Sequence, residues 1–194
     1  IDPVPLHVEQ ANDIDTEGLT ARIGDSRSLD VADNGADIAL LMGPLYHLTD
    51  ATDRAKSLRE CWRVLRHGGV LVAAAISRWA PLFDVVIREA LDPADLTAWW
   101  ATTGRTGNQR AADAAGFTTA RFHRPADLRN ETEAAGFSGV ELLGVEGCTL
   151  FLSDHLERMA DPQRRELLLS AAAAIESESE LAGLSAHMIA TAYQ

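Results

Sequence analysis

The sequence has few of the residues that mark oxidised, basic or membrane-spanning proteins. Its 194 residues include two cysteines, and 17 lysines and arginines against 29 acidic residues, for a net charge of −12. This balance excludes the clustered basic face that a nucleic acid backbone requires. No apolar run approaches the roughly 18 residues of a membrane span, and no signal-peptide pattern opens the chain. We therefore expect a cytoplasmic protein that binds neither nucleic acid nor membrane.

The two cysteines, Cys61 and Cys148, lie in apolar surroundings without the spacing of a metal site. We predict that both are reduced core residues and that the protein holds no metal.

Apolar residues make up 46% of the chain, enough for a buried core in a single domain over residues 1–194. Helical spacing and capping residues predict helices, and short apolar runs predict strands. The predicted helices cover residues 3–14, 50–65, 81–90, 93–102 and 125–135, with another from 161. The predicted strands cover residues 19–23, 36–43, 70–77, 140–145 and 185–193.

The order strand, helix, strand over residues 36–77 is typical of a parallel crossover unit. The run 36–43 is almost continuously apolar, which favours a strand covered on both faces. Gly68 and Gly69 are predicted to end the intervening helix. The fold class is therefore α/β, with a mostly parallel sheet between helix layers.

Residues 79–122 differ from the rest, because no strand is evident there. Two helical patterns are followed by a polar segment over residues 102–116, which we predict to be a loop. We interpret 79–122 as an inserted helical cap that forms a substrate subdomain over one end of the sheet.

In open α/β sheets, ligands bind beyond the carboxyl ends of the strands. The residues that follow the predicted strands are Asp2, Gly24 with Asp25, the stretch 43–47, and Ser77 with Arg78. We expect these residues to share one edge of the sheet.

The segments "GDSRSLDVADNGADIALLMGPLYHL", "RECWRVLRHGGVLVAAAISR" and "GFTTARFHRPADLRNETEAAGF" resemble, in order and spacing, class I S-adenosylmethionine-dependent methyltransferases of the type 11/25 domain. The resemblance implies a Rossmann-like methyltransferase fold with an antiparallel C-terminal strand. One departure is clear: the family's glycine-rich GxGxG turn does not occur in the 194 residues. We expect the family's first strand and helix to belong ahead of Asp2, where they are either missing from this sequence or absent from a truncated molecule.

The resemblance implies a cofactor site for S-adenosylmethionine, whose product is S-adenosylhomocysteine. Asp2 matches the acidic residue that binds the ribose hydroxyls. Gly24, Asp25 and Ser26 match the segment that contacts the adenine. The resemblance places Met42 and Gly43 beside the methionine part and the transferred methyl, and glycine lets the backbone approach a ligand closely.

Each of these residues also has a simpler interpretation. Asp2 could cap the following helix, and Asp25 could be an ordinary turn residue. The candidate catalytic residues have structural alternatives too, since Tyr46 could be a core aromatic and His47 or His123 a structural histidine.

Three further residues are candidates for binding substrate. Arg78 and Arg121 could hold an acidic substrate or balance surface acids. Trp79 could contact an apolar substrate or pack the cap.

The resulting functional prediction is methyl transfer to a small-molecule acceptor. If the acceptor is a hydroxyl, His47 or His123 could remove its proton, because imidazole titrates near neutral pH. The alternative is a non-catalytic methyltransferase-like domain that acts in protein interaction. A nicotinamide-dependent oxidoreductase would also need the glycine turn, and the segment 40–48 gives it no support. Whether the protein forms a homodimer is left open.

Overall fold

The computed structural model describes residues 1–14, 16–87, 93–110, 118–152 and 154–194. The helices are α1 (Pro5–Asn12), α2 (Pro44–His47), α3 (Ala51–Val64), α4 (Ala80–Ile87), α5 (Pro93–Trp99), α6 (Pro125–Ala134), α7 (His155–Ala160) and α8 (Pro162–Ile175). The strands are β1 (Ala36–Leu41), β2 (Leu65–Ser77), β3 (Asn108–Gln109), β4 (Ala120–His123), β5 (Ser138–Gly144) and β6 (His187–Tyr193). Among the residues described, no helix is long and apolar enough to cross a membrane.

Strand β2 is the centre of a mixed sheet with the order β3-β4-β2-β6-β5 and with β1 beside β2. One edge of β2 pairs antiparallel with β6, and the other pairs in parallel with β1 and then with β4. Because β5 is antiparallel to β6, it runs in the same direction as β2. This topology confirms the α/β class, the parallel crossover from β1 through α3 to β2, and the antiparallel final strand.

The core lies on the sheet face that α3 and α6 cover. Alternate residues of β2 and β6 point to this face, as the period of a strand requires. The most deeply buried side chains are Leu58, Leu65, Leu71, Leu128 and Met188, each 0% exposed. Burying one such side chain stabilises the fold by about 1.5–3 kcal/mol.

Strand β1 is not covered on both faces, so that prediction is wrong. Ala39 and Leu41 pack into the core, whereas Ile38 and Leu40 on the opposite face are 59% and 67% exposed. An apolar run predicts a strand but does not show whether both of its faces have neighbours.

The amino-terminal residues follow the predictions in part. Helix α1 forms as predicted, although none of its side chains is buried. The predicted strand 19–23 is wrong: only Ile23 pairs, in an isolated parallel bridge to Asp2. The side chain of Asn12 instead accepts from the backbone N–H of Ala21 and donates to its carbonyl, taking the groups that a strand neighbour would use.

Gly68 and Gly69 do not end a helix, which corrects the prediction. Helix α3 ends at Val64 and β2 begins at Leu65, so both glycines lie inside the strand. Gly68 has φ +73°, and the register against β1 shifts across this stretch. They therefore form a β-bulge. Glycine suits this position because it adopts the left-handed backbone conformation without steric cost.

The segment predicted as a cap contains helices and two strands that were not predicted, β3 and β4. Strand β3, within residues 102–116, pairs antiparallel with β4, so the prediction of a loop is wrong there. Helices α4 and α5 confirm the two helical patterns, and α5 continues into a π-helical turn at Trp100–Gly104. The pairs of β4 with β2 reach only to the end of β2. Residues 88–90 of the helix predicted over 81–90, and residues 111–116 of the loop predicted over 102–116, lie outside the described residues.

After residue 123 the predictions hold for α6, β5, α8 and β6. Gly136 ends α6 with φ +108°, and the Asp161 side chain caps α8 by accepting from the N–H groups of Gln163 and Arg164. The cysteine prediction is half right. Cys61 is buried, which raises the pKa of its thiol to about 12, whereas Cys148 is exposed.

Candidate functional site

The carboxyl ends of β1, β2, β4 and β5 meet at one edge of the sheet. Gly43, Arg78 and Glu146 follow β1, β2 and β5, and His123 is the last residue of β4. In open α/β sheets this edge is where ligands bind, so we call it the carboxyl-end edge.

The turn after β1 is built around Gly43. This residue is buried with φ +138°, and its carbonyl accepts from the N–H groups of Tyr46 and His47. A Cβ at Gly43 would lie 3.8 Å from the Tyr46 hydroxyl and from Cδ2 of His47. The ring centroids of Tyr46 and His47 are 4.8 Å apart, and Met42 before them is 49% exposed. The structure thus brings four predicted site residues into one turn.

Asp2 lies beside the second group of predicted cofactor residues. Its backbone N–H donates to the carbonyl of Arg22, and its carbonyl accepts from the N–H of Gly24, 3.1 Å each. The Asp2 Oδ1 atom accepts from the Val4 N–H at 2.8 Å and lies 3.2 Å from Nδ1 of His7. These bonds, the Val4 one above all, lower the pKa of Asp2.

The loop after this bridge is fixed by Arg27. Its side chain binds both oxygens of Asp25, which lowers the pKa of that carboxyl to about 2. It also donates to Asp53 in the first turn of α3 at 2.7 Å. Because α3 begins just after the Gly43 turn, this ion pair ties Asp25 and the half-buried Ser26 to the carboxyl-end edge.

A partly buried ion pair, in which Glu131 is 24% exposed, supports the edge from beneath. Arg54, 3% exposed, donates from Nε and Nη2 to Glu131 at 2.9 and 2.7 Å. Its Nη1 donates to the carbonyls of Leu48 and Thr49, which join α2 to α3. Arg54 therefore holds the end of the Gly43 turn against α6.

His123 adjoins this pair and is fully buried. Its Nε2 lies 3.4 Å from Oε2 of Glu131, and its Nδ1 has no partner among the described residues. Burial lowers the pKa of His123 despite the nearby carboxylate. Burial would raise the pKa of Glu131, but hydrogen bonds from Arg54 and His123 outweigh it and hold that pKa at about 2.

The two arginines predicted to bind substrate are engaged with protein groups. Arg78, 3% exposed, donates to the carbonyls of Phe122 and Arg105 and to the Asp127 carboxylate. Arg121 donates to the same carboxylate and to the carbonyl of Thr106. Through these hydrogen bonds Arg78 and Arg121 connect β4 and the residues after the π-helical turn to Asp127 of α6.

Trp79 is half-buried within the segment predicted as a cap. Its ring stacks on Trp100, with centroids 5.8 Å apart and planes 15° apart.

The cluster of Arg54, Glu131 and His123 makes the free energy of unfolding depend on pH. Because the pKa of His123 is lower in the folded chain, the unfolded chain takes up a proton first as the pH falls below about 6.5. The free energy of unfolding then decreases, by at most about 1.4 kcal/mol per pH unit for this group. The contribution of Glu131 is present above its usual pKa of 4.5 and is lost between that value and about 2.

Urea denaturation from pH 7.5 to 5 tests the His123 window. His123→Asn should remove the decrease between pH 6.5 and 5, and the exposed control His67→Gln should keep it. The variants must be compared because His187 changes the stability in the opposite direction. Glu146 raises the pKa of His187, so His187 stabilises the fold below pH 6.5 and this stabilisation is lost as the pH rises. An unchanged pH profile in His123→Asn would contradict the assignment.

Sequence reasoning missed one pair on this edge, Glu146 and His187. The Glu146 carboxylate accepts from the backbone N–H of His187 at 2.9 Å and is hydrogen-bonded to its Nδ1. Glu146 follows β5 closely, so the rule that ligand groups follow strands could have identified it. No sequence spacing connects it to His187, because 41 residues separate them.

Comparison with known proteins identifies the fold. Residues 1–73 match the family model of a methyltransferase domain, Methyltransf_11. No curated protein matches the chain at a significant level. A structure of an S-adenosylmethionine-dependent methyltransferase from Thermotoga maritima is 16% identical, with a TM-score of 0.58 over 99% of this chain and 70% of that one.

Two further solved structures share the architecture. A methyltransferase of the same kind from Methanosarcina mazei is 12% identical, with a TM-score of 0.57 over 100% of this chain and 79% of that one. Phosphoethanolamine N-methyltransferase 2 of Haemonchus contortus, in complex with S-adenosylhomocysteine, is 12% identical, with a TM-score of 0.50 over 96% of this chain and 40% of that one. These likenesses confirm the Rossmann-like methyltransferase fold and the resemblance noted in the sequence.

Proposed function

We propose that the protein binds S-adenosylmethionine at the carboxyl-end edge and transfers its methyl group to a small-molecule acceptor in the cytoplasm. The observation that carries the proposal is the bridge that sets Asp2 beside Gly24, together with the Arg27 ion pairs that tie Asp25 to the edge. All of these residues, and the Gly43 turn, fall within the segment that matches the methyltransferase family model.

The side chains present fit the ribose end of this cofactor. Both hydrogen bonds of the Asp2 carboxylate use Oδ1, which leaves Oδ2 for a ribose hydroxyl. Gly43 offers a backbone edge without a side chain, and Arg27 fixes the orientation of the Asp25 carboxylate. The sequence contains no glycine-rich turn to bind the methionine end, so that part of the site needs other residues.

When bound, the cofactor supplies an electrophilic methyl on a sulfonium. The residues of this chain then have to position the acceptor and exclude water. Within the Gly43 turn, we assign the contact with an acceptor to Tyr46 and His47. We assign proton removal to His47 rather than His123, because His47 is exposed next to Gly43 and His123 is fully buried against Glu131.

Ligand-induced thermal stabilisation tests the cofactor proposal. The protein should be expressed with any residues that its gene encodes ahead of Ile1. S-adenosylhomocysteine at 100 times its Kd should stabilise it by about 2.7 kcal/mol. Asp2→Asn should weaken the affinity about tenfold or more, because a hydrogen bond to a charged group is worth about 1.5–3 kcal/mol.

The matched control is Asp13→Asn, which removes an exposed carboxylate at the other end of α1. Its affinity should equal that of the parent protein. If millimolar S-adenosylhomocysteine produces no stabilisation, cofactor binding is wrong and a non-catalytic interaction domain becomes the better interpretation. Equal losses in Asp2→Asn and Asp13→Asn would place the cofactor elsewhere.

A further inference from the structure

A cavity of about 400 Å³ lies next to Glu146 and His187, where β5 ends and β6 begins. A 3-10 turn at Gly147–Phe151 and helix α8 form its other walls. Its volume falls in the range of sites that bind small molecules, about 300–1,000 Å³. The apolar lining consists mainly of Val145, Leu150, Met159, Leu168, Leu169 and Ala172.

The cavity contains two histidines whose Nδ1 atoms are both bonded to acceptors. Nδ1 of His187 is hydrogen-bonded to the Glu146 carboxylate, and Nδ1 of His155 lies 3.1 Å from the carbonyl of Leu152. An acceptor at Nδ1 places the proton there, so Nε2 becomes an acceptor once the imidazole is neutral, which for His187 requires a pH above its pKa, raised by Glu146. A ligand would therefore meet nitrogen acceptors and needs a donor of its own.

Both oxygens of the Glu146 carboxylate are hydrogen-bonded to His187. Its Oε2 accepts from the His187 N–H, and the Thr149 hydroxyl donates to the Glu146 carbonyl at 2.6 Å. One carboxylate oxygen thus binds the imidazole and the other binds the backbone N–H of the same residue, which fixes the orientation of the ring.

The charge of the lining argues against an anionic ligand. Among the described residues that line the cavity there is no lysine or arginine. The one carboxylate is paired with His187, so the site offers no net positive charge to a phosphate or carboxylate. A neutral molecule with an apolar body fits better, because apolar walls with a few oriented polar groups are what such ligands require.

We propose that this cavity binds a small neutral molecule with an apolar body and a hydroxyl group, whose O–H donates to Nε2 of His187. The proposal is independent of methyl transfer, since it needs neither the cofactor nor the Gly43 turn. It assigns His187 and Glu146 as binding residue and positioning residue of a site of their own.

Calorimetric titration with two matched probes tests the proposal at pH 9, an alkaline pH chosen because Glu146 raises the pKa of His187. 4-Ethylphenol carries the hydroxyl, and 4-ethylanisole replaces its proton with a methyl group while keeping the apolar body. We expect the phenol to bind at least tenfold more tightly than the ether. In His187→Phe this preference should disappear while the cooperative unfolding transition is retained.

A second pair of variants locates the site without changing His187. Leu169→Glu places a charge in the cavity wall at a position that is 57% exposed, and should abolish binding of the phenol. Leu167→Glu makes the same change at a 69% exposed position of α8 outside the lining, and should leave binding unchanged.

Three results would overturn the proposal. Equal affinities for phenol and ether would show an apolar cavity without hydroxyl recognition. Tighter binding of 4-ethylbenzoate would show an anion site. Equal behaviour of the two α8 variants would place the probe elsewhere. None of these results depends on whether S-adenosylhomocysteine binds, so the two proposals fail separately.

Discussion

Replacing Arg54 with methionine is expected to lower the free energy of unfolding by about 2–4 kcal/mol, less than the roughly 3–5 kcal/mol for a fully buried pair because Glu131 is 24% exposed. The Arg54 guanidinium is 3% exposed and supplies two hydrogen bonds to Glu131 and two to the carbonyls of Leu48 and Thr49. Methionine keeps much of the apolar volume, so the loss reports the charge and the hydrogen bonds. Urea denaturation at pH 7.5, where Glu131 is ionised, measures it.

The control is Arg158→Met, which removes an exposed ion pair to Asp154 with both side chains 39% exposed. That change should cost less than about 1 kcal/mol. Adding Glu131→Gln to Arg54→Met should restore part of the loss, because the carboxylate is then no longer left unpaired. Equal costs for the two arginine variants would show that the partly buried pair has no special role.

Replacing Gly107 with alanine is expected to lower the free energy of unfolding by about 2–5 kcal/mol, from backbone strain and overpacking together. Gly107 has φ +80°, and a Cβ would overlap the guanidinium of Arg78 and lie 2.5 Å from the carbonyl oxygen of Phe122. Neither neighbour can move easily, because Arg78 is bonded to Asp127 and the N–H of Phe122 donates to the Gly107 carbonyl.

Gly18→Ala separates the two causes. Gly18 has φ +83°, and nothing lies within 4 Å of the Cβ position, so its substitution reports the backbone strain alone. That strain should cost about 1–2 kcal/mol. Thermal or urea unfolding of both variants gives the difference, and equal losses would mean that the contact with Arg78 relaxes freely.

The elements that the sequence predicts well are those determined by their own residues. Asp50 caps α3 by accepting from the N–H groups of Thr52 and Asp53, and the buried residues Leu58 and Cys61 recur at helical spacing. The final strand has alternating burial and an apolar pattern to match. Such signals are local, so they can be recognised without knowing the neighbours.

The errors concern elements that depend on distant partners. Strand β4 exists because its last residues pair with Ile76 and Ser77 and its first residues pair with β3, and a run of four residues is too short to predict either pairing. Residues 19–23 fail to form a strand because Asn12 takes the backbone groups of Ala21. The exposure of Ile38 and Leu40 likewise follows from which neighbours pack on β1.

In the candidate site, too, the sequence predicts which residues follow strands but not their distant partners. The rule that ligands lie beyond strand ends selected Asp2, Gly43 and Arg78 as candidates, and the structure shows Gly43 and Arg78 just after β1 and β2. The rule could not predict that Arg78 binds Phe122 and Asp127. Arg54 and Glu131 are 77 residues apart, so their pairing becomes visible only when α3 and α6 pack together.

The register of β2 with β6 also determines when the domain can fold during synthesis. Val70 pairs with Tyr193, and the Gln194 side chain donates to the carbonyls of Trp62 and Leu65. A ribosome therefore has to translate more than a hundred residues after β2 before the edge of that strand opposite β1 and β4 is paired. Until then one edge of a central, apolar strand has unpaired backbone groups, the kind of edge that pairs with other chains during folding.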